Sequence, residues 1–220
     1  MIFKRCAVIF GLTSLLLLSG CAKMYLPTGS KDFKVQSPSM RRAKLTVVKA
    51  WRIDGSLSIE KVGKKPVIAN FTWHQLNPRD YRIEISSPLG LYSASIYSQY
   101  GSVELWKNGV HVTTAKSPRK LMQKALGWWI PITQMRDWIK GMPAPVKKAG
   151  YYQARYDKYG HLTFLKQQGW TIYYSIYRKD DYGMDFPLLI TMRRPGFNIK
   201  IIIQHWQLLT QHEPMLDAIT

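Results

Sequence analysis

Trp51-Arg52-Ile53-Asp54-Gly55-Ser56-Leu57-Ser58-Ile59 sets the fold. Trp51, Ile53, Leu57 and Ile59 alternate with Arg52, Asp54, Ser56 and Ser58. An apolar residue at every second position is the pattern of a strand with one buried and one wet face, because successive side chains leave a strand on opposite sides. Working outward, Val67, Ala69, Phe71 and Trp73 repeat the spacing, as do Tyr81, Ile83 and Ile85 against Arg82, Glu84 and Ser86. Strands follow over 92–98, 102–107 and 110–114. Asn108-Gly109 joins the last two, since a two-residue hairpin turn needs positive φ at both positions.

The middle of the chain changes period. Ser117-Pro118 predicts a helix N-cap followed by proline in the first turn. Leu121, Met122 and Ala125 then share one face, and Gly127 ends the helix. A second short helix is predicted over 132–140, with Met135, Trp138 and Ile139 apolar, Gly141 at its end, and Pro143 and Pro145 forbidding continuation. Strands return over 151–156, 162–167, 170–177, 188–193 and 198–206, with Gln168-Gly169 as a turn. The sum is a mainly β domain over 50–209: about eleven antiparallel strands in a strongly curved sheet or open barrel, with a short helical lid.

The N-terminus speaks of location. Lys4-Arg5 precedes an apolar run from Val8 to Leu18, and the run ends in Leu18-Ser19-Gly20-Cys21. Basic residues, an apolar core and a small residue before a cysteine form a bacterial lipoprotein signal. The run is shorter than the roughly 20 residues a membrane span needs. Residues 1–20 are expected to be removed and Cys21 to be lipidated. Ala22 follows the cysteine; an aspartate there tends to retain Gram-negative lipoproteins in the inner membrane, so its absence favours the outer membrane, facing the periplasm. Residues 21–49 are polar and proline-containing, with the basic stretch Arg41-Arg42-Ala43-Lys44, and read as a flexible tether, with the alternative that part of it joins the fold; 210–220 read as a loose tail. The other cysteine, Cys6, lies in the leader, so the mature chain has no thiol for a disulfide, metal or nucleophile.

Charge narrows the partners. The chain carries 32 Lys+Arg against 13 Asp+Glu, formally +19, of which the leader holds only Lys4 and Arg5. Such a balance is common in nucleic-acid binders. It sits poorly with a periplasmic lipoprotein, and here the basic residues recur through the strands instead of forming one block. An anionic membrane surface or an acidic partner is the expected target, with no nucleic acid. No Gly-x-Ser-x-Gly, His-Glu-x-x-His or Cys/His metal spacing occurs, and the five histidines are scattered. No enzyme, cofactor or metal is expected.

One turn is unusual. Pro88-Leu89-Gly90-Leu91 joins two strands yet carries apolar Leu89 and Leu91 where polar residues are the rule. An exposed leucine at a loop tip suggests membrane contact. On the inward parity of the strands, Trp51, Phe71, Trp73, Ile83, Ile85, Leu105, Trp170, Ile172, Tyr174 and Trp206 are candidates for an apolar cavity lining. Leu121, Met122, Met135, Trp138 and Ile139 are candidates for the underside of the lid. Any β-barrel fills its interior with such residues, so taken singly each reads first as plain core.

From Trp51 to Trp206 the chain resembles the LolB family of outer-membrane lipoprotein receptors. The resemblance lies in Trp51–Leu57, Trp73-His74-Gln75, Ser87-Pro88-Leu89-Gly90, the stretch from Gly127 to Pro131, Trp138–Pro143, Gln168–Tyr174 with Tyr177, and Trp206, in that order behind the lipobox. Asp54 departs from the arginine frequent there, and Trp128-Trp129 is bulkier than usual. The resemblance implies an unclosed antiparallel β-barrel with a helical lid over an apolar cavity. It implies a soluble periplasmic carrier, LolA, as partner and acylated lipoproteins as cargo, passed on to the outer membrane. It also implies a protruding, membrane-directed role for Leu89. A monomer is expected. A lipoprotein binding another lipid or glycolipid, and a structural lipoprotein assisting a larger assembly, are the other readings.

Overall fold

The computed structural model describes residues 28–126 and 129–209. After a first helix, α1 (Pro38–Val47), six strands run in sequence: β1 (Trp51–Lys61), β2 (Val67–Gln75), β3 (Tyr81–Ser86), β4 (Ser93–Gln99), β5 (Ser102–Lys107) and β6 (Val110–Ala115). Three short helices follow, α2 (Pro118–Leu126), α3 (Ile132–Trp138) and α4 (Val146–Ala149). Five strands complete the fold: β7 (Tyr152–Tyr156), β8 (Leu162–Gln167), β9 (Trp170–Lys179), β10 (Asp185–Arg194) and β11 (Phe197–Leu208).

All eleven strands form one antiparallel sheet in the order β6-β5-β4-β3-β2-β1-β11-β10-β9-β8-β7. Hairpins account for every pairing but one. That one joins β1 to β11, from Trp51 opposite Leu208 to Lys61 opposite Phe197. The edge strands β6 and β7 are separated in sequence only by the helical stretch. The expected open barrel with a helical lid is therefore the fold observed.

The central β1–β11 pairing contains a bulge, where Asp54 faces His205 but Gly55 faces Ile203. A Cβ on Gly55 would lie 2.0 Å from the Ile202 carbonyl oxygen, so only glycine permits this approach. The extra residue switches the parity of β11. Ile199, Ile201 and Ile203 are buried in the main core, and beyond the bulge Trp206 packs on Trp51, with ring centroids 5.5 Å apart.

One expectation needs correction. Much of 21–49, read as a flexible tether, belongs to the folded body. Ser37 caps α1, its Oγ accepting from the Met40 amide at 3.2 Å, with Pro38 in the first turn. Leu45 is buried against Met142 and Phe186. Arg41 is buried as well: its guanidinium lies 3.4 Å from Asp185 Oδ2 and also donates to the Asp185 carbonyl. His161 lies 3.1 Å from that same carboxylate through Nε2 and 3.1 Å from Asp157 through Nδ1, and it stacks on Tyr177 at 4.2 Å. Ahead of α1, the Ser30 amide donates to the Tyr177 carbonyl and the Lys179 amide donates to Ser30 Oγ, so this arm sits along the end of β9. The polar composition that suggested a tether reflects a segment held by paired charges and backbone hydrogen bonds, with little apolar area. Residues 1–27, Gly127 (the expected helix end) with Trp128, and the tail from 210 lie outside the described residues.

The lid also differs in detail. The second helix of the lid ends at Trp138, not Lys140, because Gly141 adopts φ +76° and its amide closes back on the Trp138 carbonyl. The short α4 follows Pro145.

Candidate functional site

Between the concave face of β1–β4 and β11 and the underside of α2 and α3 lies a cavity of about 90 Å³. Leu57, Ile59, Phe71, Trp73, Ile83, Ile85, Ile96, Ile199 and Ile201 line it from the sheet, and Met122, Ile130, Ile132, Met135 and Ile139 from the helical side. Every lining side chain is apolar. The indole nitrogen of Trp73, the one polar side-chain atom among them, donates to Gln75 Oε1 at 3.1 Å. Such a chamber offers nothing to a polar ligand and suits hydrocarbon.

Burial falls along the strands. Trp51 and Ile53 at the start of β1 are fully buried, whereas Leu57 and Ile59 further along are half-buried, as is Ile85 near the end of β3. The cavity is thus least covered at the sheet end carrying the β1–β2, β3–β4 and β5–β6 turns. Leu89 and Leu91 lie in the β3–β4 turn at that same end, and each is 82% exposed. Gly90, at φ +70°, donates its amide to the Ser87 carbonyl and turns the chain back between them.

Beside this end, Arg194 sits within 4.5 Å of the Phe197 ring centroid and 4.7 Å of the Trp170 ring, and donates to the Trp129 carbonyl at 3.1 Å. Burial among the rings lowers its pKa from the usual arginine value. At the opposite end of the lid, Lys140 Nζ donates to the Leu45 and Val48 carbonyls at 3.2 and 3.1 Å and lies 3.8 Å from Asp137. That lysine ties the end of α3 to α1, and burial pushes its ammonium down to about 8.

Comparison with known proteins shows the family. Residues 49–206 match the family model described as outer membrane lipoprotein LolB. The chain belongs to the LolB family. It is 38% identical over 195 residues to the outer-membrane lipoprotein LolB of Coxiella burnetii (strain RSA 493 / Nine Mile phase I), covering 88% of this chain and 90% of that one. It is 30% identical over 205 residues to the LolB of Nitrosococcus oceani, covering 93% and 99%. Among solved structures, a LolA superfamily protein from Nitrosomonas europaea shows a looser likeness of shape, with a TM-score of 0.44 at 8% identity over 80% of this chain and 92% of that one.

Within this LolB-family barrel the candidate lining residues divide. Phe71, Trp73, Ile83 and Ile85 face the cavity, joined by Met122, Met135 and Ile139 from the lid. Trp51, Leu105, Trp170, Ile172, Tyr174 and Trp206 do not line it and are corrected to packing residues. Trp51 is wedged between Trp73 and Trp206. Leu105 is buried on β5, beyond the cavity's outermost strand, β4. Trp170, Ile172 and Tyr174 are buried on β9, on the other side of β11, and Tyr174 donates its hydroxyl to the Trp138 carbonyl. Trp206 stacks on Phe186 at 4.2 Å. Leu121 and Trp138 are also core, with the Trp138 indole donating to Gln167 Oε1 at 2.8 Å.

The sequence reading missed Leu57, Ile59, Ile96, Ile130, Ile132, Ile199 and Ile201 as lining residues. Leu57 and Ile59 were recoverable, since they continue the inward parity of Trp51. Ile199 and Ile201 were not, because Ile201-Ile202-Ile203 is apolar on both parities. Cys21 lies outside the described residues. Among the described residues, no group of three or more His, Cys, Asp or Glu gathers as a metal site, and no helix is long and apolar enough to cross a membrane.

Proposed function

We propose that this chain is the outer-membrane receptor for acylated lipoproteins: it takes their acyl chains from the soluble periplasmic carrier LolA into the apolar cavity and releases them into the bilayer. The observation that carries this reading is the coincidence, at one end of the barrel, of the least covered side of an all-apolar cavity and the exposed Leu89–Leu91 turn. Cys21, lipidated, would hold the domain at the periplasmic face of the outer membrane.

Burial of a methylene contributes about 0.8 kcal/mol, so an acylated cargo in water is far uphill of any apolar shelter. A receptor that shelters the chains better than the carrier drains it, and the bilayer drains the receptor. The transfer needs neither covalent chemistry nor a nucleotide. The cavity of about 90 Å³ is small beside the roughly 300–1,000 Å³ of ordinary ligand sites. The described state is therefore a closed one, and cargo entry requires α2 and α3 to move off the sheet. Met122 and Met135 on those helices suit such a lining, because unbranched thioether side chains repack around chains of varied length.

The test is a transfer assay with the chain from Ala22 onward, which keeps every residue of the described fold. Carrier loaded with an acylated lipoprotein is mixed with it, and each protein is pulled down in turn. Cargo moving to this chain supports the receptor reading. Cargo staying on the carrier, with both proteins folded, overturns it in favour of a binder of another lipid, to be identified by mass spectrometry of co-purifying lipids.

A further inference from the structure

The strand order places three hairpin turns side by side on one rim. The β1–β2 turn (61–67), the β3–β4 turn (86–93) and the β5–β6 turn (107–110) all lie at the same end of the sheet as Leu89, while the β2–β3 and β4–β5 turns lie at the other. The β10–β11 turn joins them beside β1, where the Val62 amide donates to the Gly196 carbonyl at 3.1 Å. Each of the three hairpins exposes apolar residues at or beside its tip: Val62 is 82% exposed, Leu89 and Leu91 are 82% exposed, and Val110 is 67% exposed. Val67 and Ile68 extend the first patch, and Val112 the third.

Charge on this rim has one sign. Segments 61–67, 86–93, 107–112 and 194–197 contain Lys61, Lys64, Lys65, Lys107 and Arg194 and no aspartate or glutamate. The adjoining Glu60 accepts a hydrogen bond from Asn198. Lys64 and Lys65 are exposed beside Val62, with Pro66 keeping the turn short of a longer ladder. Isolated apolar tips set among lysines do not resemble the core of a protein interface, which is depleted in lysine and enriched in tryptophan and tyrosine. They match a bilayer surface, into which small apolar side chains dip while lysine stems lie along the interface with their ammonium groups at the headgroups.

We propose that the Val62–Lys65 hairpin and the Val110 hairpin act with the Leu89 turn as one basic, apolar-tipped rim that binds anionic phospholipid directly. This deepens the receptor reading, on which the delivery role rests, by naming the lipid class and the further residues that meet it. The rim holds the mouth of the cavity against the headgroups without help from the lipid anchor.

The test is flotation of the chain from Ala22 onward with vesicles of phosphatidylcholine alone or of phosphatidylcholine with phosphatidylglycerol. Binding is expected to need the anionic lipid and to weaken with salt. Loss of two lysines at roughly 1 kcal/mol each near an anionic surface, at 1.4 kcal/mol per factor of ten, corresponds to about thirty-fold weaker binding for Lys64→Ala with Lys65→Ala. Val62→Ser is expected to weaken binding to both vesicle types. All variants should keep the thermal midpoint of the parent and its uptake of cargo from the carrier in solution. Equal binding to neutral and anionic vesicles, or lysine variants that bind like the parent, overturns the proposal. So does a loss of carrier association with vesicle binding intact, which would make the rim a carrier dock. Failed cargo transfer alongside intact lysine-dependent flotation would instead sink the receptor reading and leave the rim standing.

Discussion

Lys140→Met probes the junction that pins the lid to the N-terminal helix. Lys140 is buried, with its ammonium pushed down to about 8 from an ordinary 10.5. Between those values the unfolded chain holds a proton that the folded chain has released. Stability therefore rises with pH through this window, because the unfolded state binds more protons. One proton's difference is worth about 1.36 kcal/mol for each step of one in pH, so from about pH 7 to about pH 9.5 the gain comes to about 2 kcal/mol. Tyr174 and Tyr177 work the other way, since burial raises both and they oppose stability only as pH passes the ordinary tyrosine value of 10. They are common to parent and variant and cancel in the difference. Urea unfolding of both proteins at the two pH values should show the parent gaining about 2 kcal/mol relative to Lys140→Met as pH rises. A constant difference would refute the reasoning: it would mean that the Leu45 and Val48 carbonyls and Asp137 offset the desolvation of the charge completely.

Further outcomes follow from the same geometry. Gly55→Ala should cost about 3 kcal/mol or more, seen as a thermal midpoint lower by about 6–12 °C, because its Cβ meets backbone at 2.0 Å. Gly63→Ala, with open space but φ +74°, should cost only about 1–2 kcal/mol; equal losses would show that the bulge relaxes. Asp185→Asn leaves Arg41 buried without its carboxylate and should cost about 3–5 kcal/mol, with protease cleavage appearing first between residues 28 and 47; unchanged cleavage there would mean the arm is held by other contacts. Phe71→Ala, at the cavity wall, should lower stability by about 3–5 kcal/mol in urea, and a loss below about 1 kcal/mol would place Phe71 against empty space instead of packed neighbours. Leu89→Glu should keep the midpoint and carrier-to-receptor transfer while blocking delivery into vesicles; lost transfer with retained delivery contradicts the role given to that turn.

The strand framework was legible because half-buried antiparallel strands write their burial into the sequence at period two. Asn108-Gly109 and Gln168-Gly169 marked two hairpins, and the structure shows Asn108 and Gln168 at positive φ as such turns demand. Three things were not legible. The cavity is a property of which inward residues fail to touch, so parity alone could not separate Phe71 from Trp51. The bulge at Gly55 shifts the register of β11 by one, and the isoleucine run 201–203 hides the shift. The N-terminal helix carries the same Ser-Pro signal at Ser37-Pro38 that announced α2 at Ser117-Pro118, yet its polar residues drew the reading of a tether. Its seat is built from Arg41, Asp185 and His161, far apart in sequence, and no local pattern announces such a set.

The gap between β6 and β7 has a mechanical consequence. In a closed barrel, widening the bore means breaking a column of ladder hydrogen bonds. Here the edges are linked by the chain itself, through α2, α3 and α4, and among the described residues no ladder spans the opening. A guest that pushes the edges apart stretches this covalent strap and peels side chains such as Met122 and Met135 from the sheet, while all ten strand pairings persist. Swelling is resisted by the apolar contacts of the lid and by its hydrogen bonds to the sheet, such as Trp138 to Gln167 and Tyr174 to Trp138; the apolar contacts are the ones an alkyl chain replaces in kind as it enters.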